Sequence, residues 1–205
     1  MTQSQGEMVY LVDDDEAILD SLTFLMEGYG LKVNAFSGGG AFLEAVDLSQ
    51  PGCVILDSRM PELTGQELHQ KLNEANSPLA VIFLTGHGDV PMAVEALKNG
   101  AFDFFQKPVQ GKELFEAVKR GLTHSNKLHH DLTQLALLQD LTEREQQVFR
   151  LVINGYTNKQ MADTLFVSVR TIEVHRSNVM KKLHASNMAG LLKYSSLLGS
   201  LDQMS

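Results

Sequence analysis

At 205 residues the chain is long enough for two domains of about 100–200 residues each, and its balance of 43% hydrophobic and 20% charged residues is that of an ordinary soluble globular protein. No apolar run approaches the roughly 18 residues of a membrane span, the first seven residues lack the basic-then-apolar pattern of a secretory signal, and the lone Cys53 excludes an internal disulfide and a thiolate zinc site, so a cytoplasmic protein with no membrane partner is expected. The net charge of −8 argues at first against nucleic acid, yet residues 1–140 hold 9 Lys+Arg against 20 Asp+Glu while residues 141–205 hold 8 against 5, an asymmetry that points to separate jobs for the two halves.

In chain order, short apolar runs over 8–12, 31–36, 53–56, 79–85 and 102–105 predict five strands, several of them nearly continuous in Val, Ile and Leu as expected of parallel strands buried on both faces. Between and after them, helical periodicity covers 16–29, 40–46, 65–73, 90–98 and 111–122, where Leu114, Val118 and Leu122 share one face. Five βα units imply an α/β fold with a doubly wound five-stranded parallel sheet over residues 1–123. Residues 124–140 predict a helical linker with Leu128, Leu132, Leu135 and Leu138 at helical spacing, a stripe that suits either packing on a domain or a short dimerising coiled coil and is too brief to decide. From Leu141 onward the pattern is all-α, with four helices. Thr142 and Glu145 form a capping box and Gly155 ends that first helix. A second covers 158–165, Phe166-Val167 makes a tight turn, Ser168 caps a third through about Leu183, and a fourth covers 187–198.

In doubly wound sheets, functional groups gather beyond the carboxyl ends of the strands. There the sequence delivers Asp13-Asp14-Asp15, Asp57, Thr85 and Lys107-Pro108. Clustered carboxylates repel one another without a cation, and Mg²⁺, which takes one or two carboxylates and keeps waters, relieves this. Asp57 then serves as nucleophile toward a phosphoryl donor, Lys107 neutralises charge on the transferring group, and the Thr85 hydroxyl bonds a phosphate oxygen. Some of the acidic run caps the following helix, with Asp15 the candidate. Helix capping does not explain why Asp57, Thr85 and Lys107 fall at matching ends of other strands.

The run Val12-Asp13-Asp14, the segment Ile55-Leu56-Asp57-Ser58-Arg59-Met60-Pro61-Glu62-Leu63-Thr64-Gly65, Thr85, and Phe104-Phe105-Gln106-Lys107-Pro108 together resemble the receiver domain of two-component response regulators over residues 8–122, with its flavodoxin-like fold. The resemblance implies that Asp14, Asp57 and the backbone carbonyl of Arg59 ligate Mg²⁺ while Asp13 acts through water. It also implies a cis Lys107-Pro108 bond, Phe104 at the aromatic switch position beside Thr85, Arg59 and His87 as residues that tune phosphate lifetime, and a histidine kinase as partner.

In the C-terminal half, helix, turn and capped helix have the geometry that sets a recognition helix in the major groove of double-stranded DNA. Val169, Arg170, Thr171, Val174, His175 and Asn178 would face base edges. Lys159, Arg176, Lys181 and Lys182 suit phosphates, and Ile172, Val179, Met180 and Leu183 should be core. The sequence 141–195 resembles the LuxR-type helix-turn-helix, and the pairing resembles the NarL/FixJ group, nearest FixJ-like regulators with Glu at position 173. Glu173 and the Asn187-Met188 pair depart from more basic patterns in that family, which predicts fewer phosphate contacts. The resemblance implies a response regulator in which phosphorylation of Asp57 draws on Thr85 and Phe104, favours a homodimer and controls DNA binding, with RNA polymerase a further partner. Beyond phosphorylation from a donor and slow self-dephosphorylation, no enzyme activity is expected. A phosphatase with an aspartyl-phosphate intermediate would want a carboxylate where Arg59 stands.

Overall fold

The computed structural model describes residues 8–86 and 90–197. The chain divides into two compact units, Met1–His129 and His130–Ser205. The first unit holds strands β1 (Met8–Val12), β2 (Lys32–Phe36), β3 (Cys53–Asp57), β4 (Ala80–Thr85) and β5 (Asp103–Gln106), with helices α1 (Glu16–Gly28), α2 (Gly39–Ala45), α3 (Gly65–Glu74) and α4 (Val90–Lys98) between them; α5 (Gly111–Gln139) follows, and its residues from His130 on belong to the second unit. The strands form one parallel sheet in the order β2-β1-β3-β4-β5.

Alternation along the strands explains the apolar runs. Val9, Leu11, Cys53, Ile55, Ala80, Ile82 and Leu84 pack with Leu19, Leu22 and Met26 of α1 and Leu114, Ala117, Val118 and Leu122 of α5. Their neighbours Tyr10, Val12, Val54, Leu56, Val81 and Phe83 turn the other way, onto Phe42, Leu68, Leu72 and Ala96 of α2, α3 and α4. Both faces are therefore dry, and period-2 polarity has nowhere to appear. Cys53 is part of the first layer, where burial pushes its thiol well above the ordinary range. Asp15 caps α1, accepting from Ala17 N–H at 2.9 Å and Ile18 N–H at 3.4 Å, as expected.

Helix α5 runs past Leu122 without interruption. No Pro follows Pro108, while Gly121 answers a close approach, since a Cβ there would stand 3.1 Å from Cys53 Sγ. Of the leucine stripe, Leu138 is buried in the core of the second unit and Leu135 lies partly buried against it, while Leu128 and Leu132 are half-buried.

That unit contains α6 (Glu143–Ile153), α7 (Asn158–Leu165), α8 (Val169–Lys182) and α9 (Met188–Leu192), followed by a 3₁₀ turn at Ser195–Leu197. Capping boxes start α6 (Thr142 with Glu145) and α7 (Thr157 with Gln160), and Ser168 caps α8. The core joins Val148, Phe149, Met161, Ile172, Val179, Leu183, Leu191 and Tyr194, so Ile172, Val179 and Leu183, three of the four apolar positions expected inside, are buried and Met180 is half-buried. The fourth helix is shorter than its periodicity predicts. Ser195 Oγ donates to Leu192 O at 2.7 Å, a local bond that competes with a regular helical turn, and Tyr194 Oη donates to Leu183 O, at the end of α8, at 2.8 Å. Among the described residues, no helix is long and apolar enough to cross a membrane.

Candidate functional site

β1 and β3 are neighbours in the sheet, yet α1 leaves β1 for one face and α3 leaves β3 for the other. The crevice beyond their carboxyl ends is the topological switch point, where such folds bind ligands. Asp13 follows β1 and Asp57 ends β3, both buried and Asp57 only 8% exposed. Two carboxylates held this far from water need compensation. Lys107, just after β5, supplies it, donating to Asp13 Oδ2 at 2.6 Å and to Asp57 Oδ1 at 2.7 Å. Burial pulls down the pKa of that ammonium, but hydrogen bonds and charge from Asp13 and Asp57 outweigh it and hold Lys107 above the usual lysine value. The remaining carboxylate oxygens take backbone donors: Arg59 N–H to Asp57 Oδ2 at 2.6 Å, and Asp15 N–H to Asp13 Oδ1 at 3.0 Å.

Thr85 ends β4 fully buried, and its hydroxyl accepts from Ser58 Oγ at 2.7 Å. Its carbonyl accepts from Lys107 N–H at 2.6 Å, and the Lys107-Pro108 bond is cis. Phe104, which lies in register with Phe83 of β4, is half-buried against the layer that contains Leu56 and Phe83. Asp14 is exposed and, with Ser58, Arg59, Met60, Pro61, Thr64 and Gln66, borders an open depression. His87 lies outside the described residues.

Two supporting residues escaped the sequence reading. Gly65 opens α3 against the back of the site, and a Cβ there would stand 2.3 Å from Asp57 O. Only a missing side chain allows that approach. Ser58 is the other: it adjoins Asp57, and the register pairing Asp57 with Leu84 sets it beside Thr85. That register was the signal available, and it needs the sheet order.

Among the described residues no three His, Cys, Asp or Glu side chains converge closely enough to hold a metal ion unaided. A site with hard oxygen donors on one side and open water on the other fits Mg²⁺, which takes few carboxylates and dehydrates reluctantly. It does not fit an ion that needs a closed protein cage.

In the second unit, α7, a turn and α8 form the helix-turn-helix. Phe166 ends α7 in the left-handed region at φ +54° and is 94% exposed. On α8, Val169, Arg170, Glu173, Val174, Ser177, Asn178 and Lys181 are exposed, and from Arg170 to Lys181 they follow the spacing of one face. Lys159 is exposed in the first turn of α7. Arg170 pairs with Glu173 at 3.5 Å, and Thr171 is half-buried, its hydroxyl 2.8 Å from that of Ser168. His175 is half-buried, with Nδ1 buried and unpartnered among the described residues.

Two expected phosphate ligands have internal partners instead. Arg176 Nη1 donates to Asn158 Oδ1 at 2.5 Å, tying α8 to the start of α7. Lys182 Nζ donates to Glu145 Oε2 at 2.7 Å and to Asp140 O at 3.0 Å. Burial would raise the Glu145 pKa, but hydrogen bonds from Lys182 and Thr142 and the Lys182 charge hold it below the usual value.

Residues 9–119 match the response regulator receiver domain, and residues 139–195 match the bacterial regulatory proteins of the luxR family. The tetrathionate response regulatory protein TtrR of Salmonella typhimurium is 44% identical over 185 residues, 90% of each chain. FixJ of Azorhizobium caulinodans is 40% identical over 93% of this chain and 92% of its own. Among solved structures, the response regulator StyR aligns with a TM-score of 0.70 at 36% identity, covering 92% of this chain and 98% of its own. Full-length FixJ from B. japonicum aligns at 0.57 and 36% identity, covering 95% and 98%.

Proposed function

Because the chain belongs to the two-component response regulators that join a receiver domain to a LuxR-type DNA-binding domain, we propose that Asp57 is its phosphoacceptor and that phosphorylation there controls DNA binding by the α7–α8 pair. The observation that carries this reading is the Lys107 ammonium bridging Asp13 and Asp57. A carboxylate oxygen of Asp57 attacks the phosphorus of a phosphohistidine on a partner kinase. The O–P bond forms as the N–P bond breaks, and the electron pair returns to the imidazole. Lys107 then faces the phosphoryl oxygens, and its raised pKa keeps it cationic at neutral pH. Asp14, Asp57 and the Arg59 carbonyl would hold Mg²⁺, with Asp13 acting through water; when bound, the ion neutralises charge on the equatorial oxygens. The Thr85 hydroxyl donates to one of those oxygens, and Phe104 follows it. The effect is a shift between two states by differential stabilisation, with a homodimer favoured by the phosphorylated one.

The phosphoacceptor domain is assigned to 1–123, the connecting segment to 124–140 and the DNA-binding domain to 141–205. In this assignment α8 enters the major groove. Val169, Arg170, Val174 and Asn178 meet base edges, Thr171 and His175 stand at the edge of that face, and Lys159 and Lys181 meet phosphates. Arg176 and Lys182 reach phosphates only by sharing or exchanging Asn158 and Glu145. The role is regulatory, in the cytoplasm, with RNA polymerase the expected downstream contact.

The test compares wild type with Asp57→Asn, each with and without a small phosphodonor and Mg²⁺, by intact mass and DNA affinity. Only wild type should gain one phosphoryl group and tighten on DNA. Identical behaviour of the two proteins under donor would overturn the assignment.

A further inference from the structure

One residue on the exposed face of α8 has the wrong sign for a polyanion. That face carries Arg170, Glu173, Val174, Ser177, Asn178 and Lys181, while Ile172 and Val179 turn to the core. Glu173 Oε2 stands 3.5 Å from Arg170 Nη1, with the two side chains 48% and 86% exposed. An ion pair so open to water adds little to the stability of a helix. It also lies within α8, so it does not fasten α8 to another element, as Arg176 does through Asn158. A carboxylate brought against DNA is repelled by the phosphates, and the donors open to it lie on base edges. In the major groove guanine shows the acceptors N7 and O6, and thymine shows O4 and a methyl group. Adenine sets its N6 donor beside N7, an acceptor that repels a carboxylate, whereas cytosine presents the N4 amino group alone. Arg170, one turn earlier on the same face, offsets the carboxylate charge and lowers the cost of bringing it among phosphates.

We infer that Glu173 is a specificity-determining residue that accepts a hydrogen bond from cytosine N4 and holds one position of the bound sequence as cytosine. This rests on α8 being the helix that enters the major groove. Glu173 then acts in opposite directions on two quantities. It weakens binding to DNA in general, through repulsion from the phosphates, and it widens the gap between one sequence and the rest. The other positions are read by its neighbours on the face, Val174 and Asn178 among them.

The experiment selects bound duplexes from a random library with the full chain, with and without a small phosphodonor and Mg²⁺, for wild type, Glu173→Gln and Glu173→Ala. Wild type should enrich a site with one position held as cytosine. Glu173→Gln, whose amide both donates and accepts, should hold adenine at that position and leave the others unchanged. Glu173→Ala should relax that position alone. In titrations of single duplexes, replacing that cytosine by thymine should cost wild type about tenfold in affinity and should cost Glu173→Ala nothing. An identical selected site for all three proteins overturns the inference. So does a change at a position that wild type does not hold as cytosine, or a gain in affinity by the variants that is equal for every sequence. If wild type selects no sequence in either state, it is the assignment of α8 to DNA that fails.

Discussion

At the scale of single residues, the site depends on two kinds of constraint, charge and clearance. Gly65 supplies clearance: with a Cβ it would collide with the Asp57 carbonyl. Gly65→Ala is expected to cost about 1–3 kcal/mol of stability by overpacking and to slow phosphorylation by displacing Asp57, checked by thermal melting and by mass under donor. Glu145 shows the charge constraint in the second unit. Its folded pKa lies below the usual value, so the unfolded chain binds the proton more tightly. The stabilisation is therefore complete above the ordinary carboxylate range, near pH 4.5, and is lost as pH falls through the lower folded value. Melting of the helical unit should decline on that acid limb in wild type and less steeply in Glu145→Gln. Lys182→Met leaves the carboxylate buried without its cation and should cost about 1 kcal/mol at pH 7, a figure kept low by the partial exposure of Lys182.

At the scale of elements, the inner strands β1, β3 and β4 were legible because burial on both faces makes them apolar almost throughout, and helices because their caps are local. Asp15, Thr142 and Ser168 sit where capping chemistry requires and act there. What spacing alone conceals is any partner on another element. Arg176 and Lys182 look like solvated cations along α8, but Asn158 and Glu145, from α7 and α6, engage them. Ser58 escaped for the same reason, since its partner belongs to the next strand. The end of the last helix was misjudged because a side-chain to backbone bond at Ser195 competes with a regular turn. The exposed cations should differ from the engaged ones in DNA binding. Lys159→Ala and Lys181→Ala should each lower the slope of log affinity against log salt by about 0.9. Arg176→Ala should instead lower the melting temperature of the helical unit, because it loosens α8 from α7.

At the scale of the whole molecule, each unit closes its own core, two layers around the sheet and a third among the helices. Phe149→Ala should destabilise the helical unit by about 3–5 kcal/mol and abolish DNA binding at temperatures where Asp57 is still phosphorylated. Melting followed alongside intact mass under donor would separate the two effects, and parallel loss of both would count against separate cores. The charge asymmetry that first divided the chain has a local counterpart at the Lys107 bridge. Among the described residues, the crevice carries the carboxylates of Asp13, Asp14 and Asp57 against the ammonium of Lys107 and, at its open edge, the guanidinium of Arg59. Transfer converts the Asp57 carboxylate into an acyl phosphate of up to two negative charges, so the crevice becomes more negative by about one charge. That added charge gives a neutral O–H dipole from the neighbouring strand a reason to turn toward the phosphoryl group only after the chemistry is done.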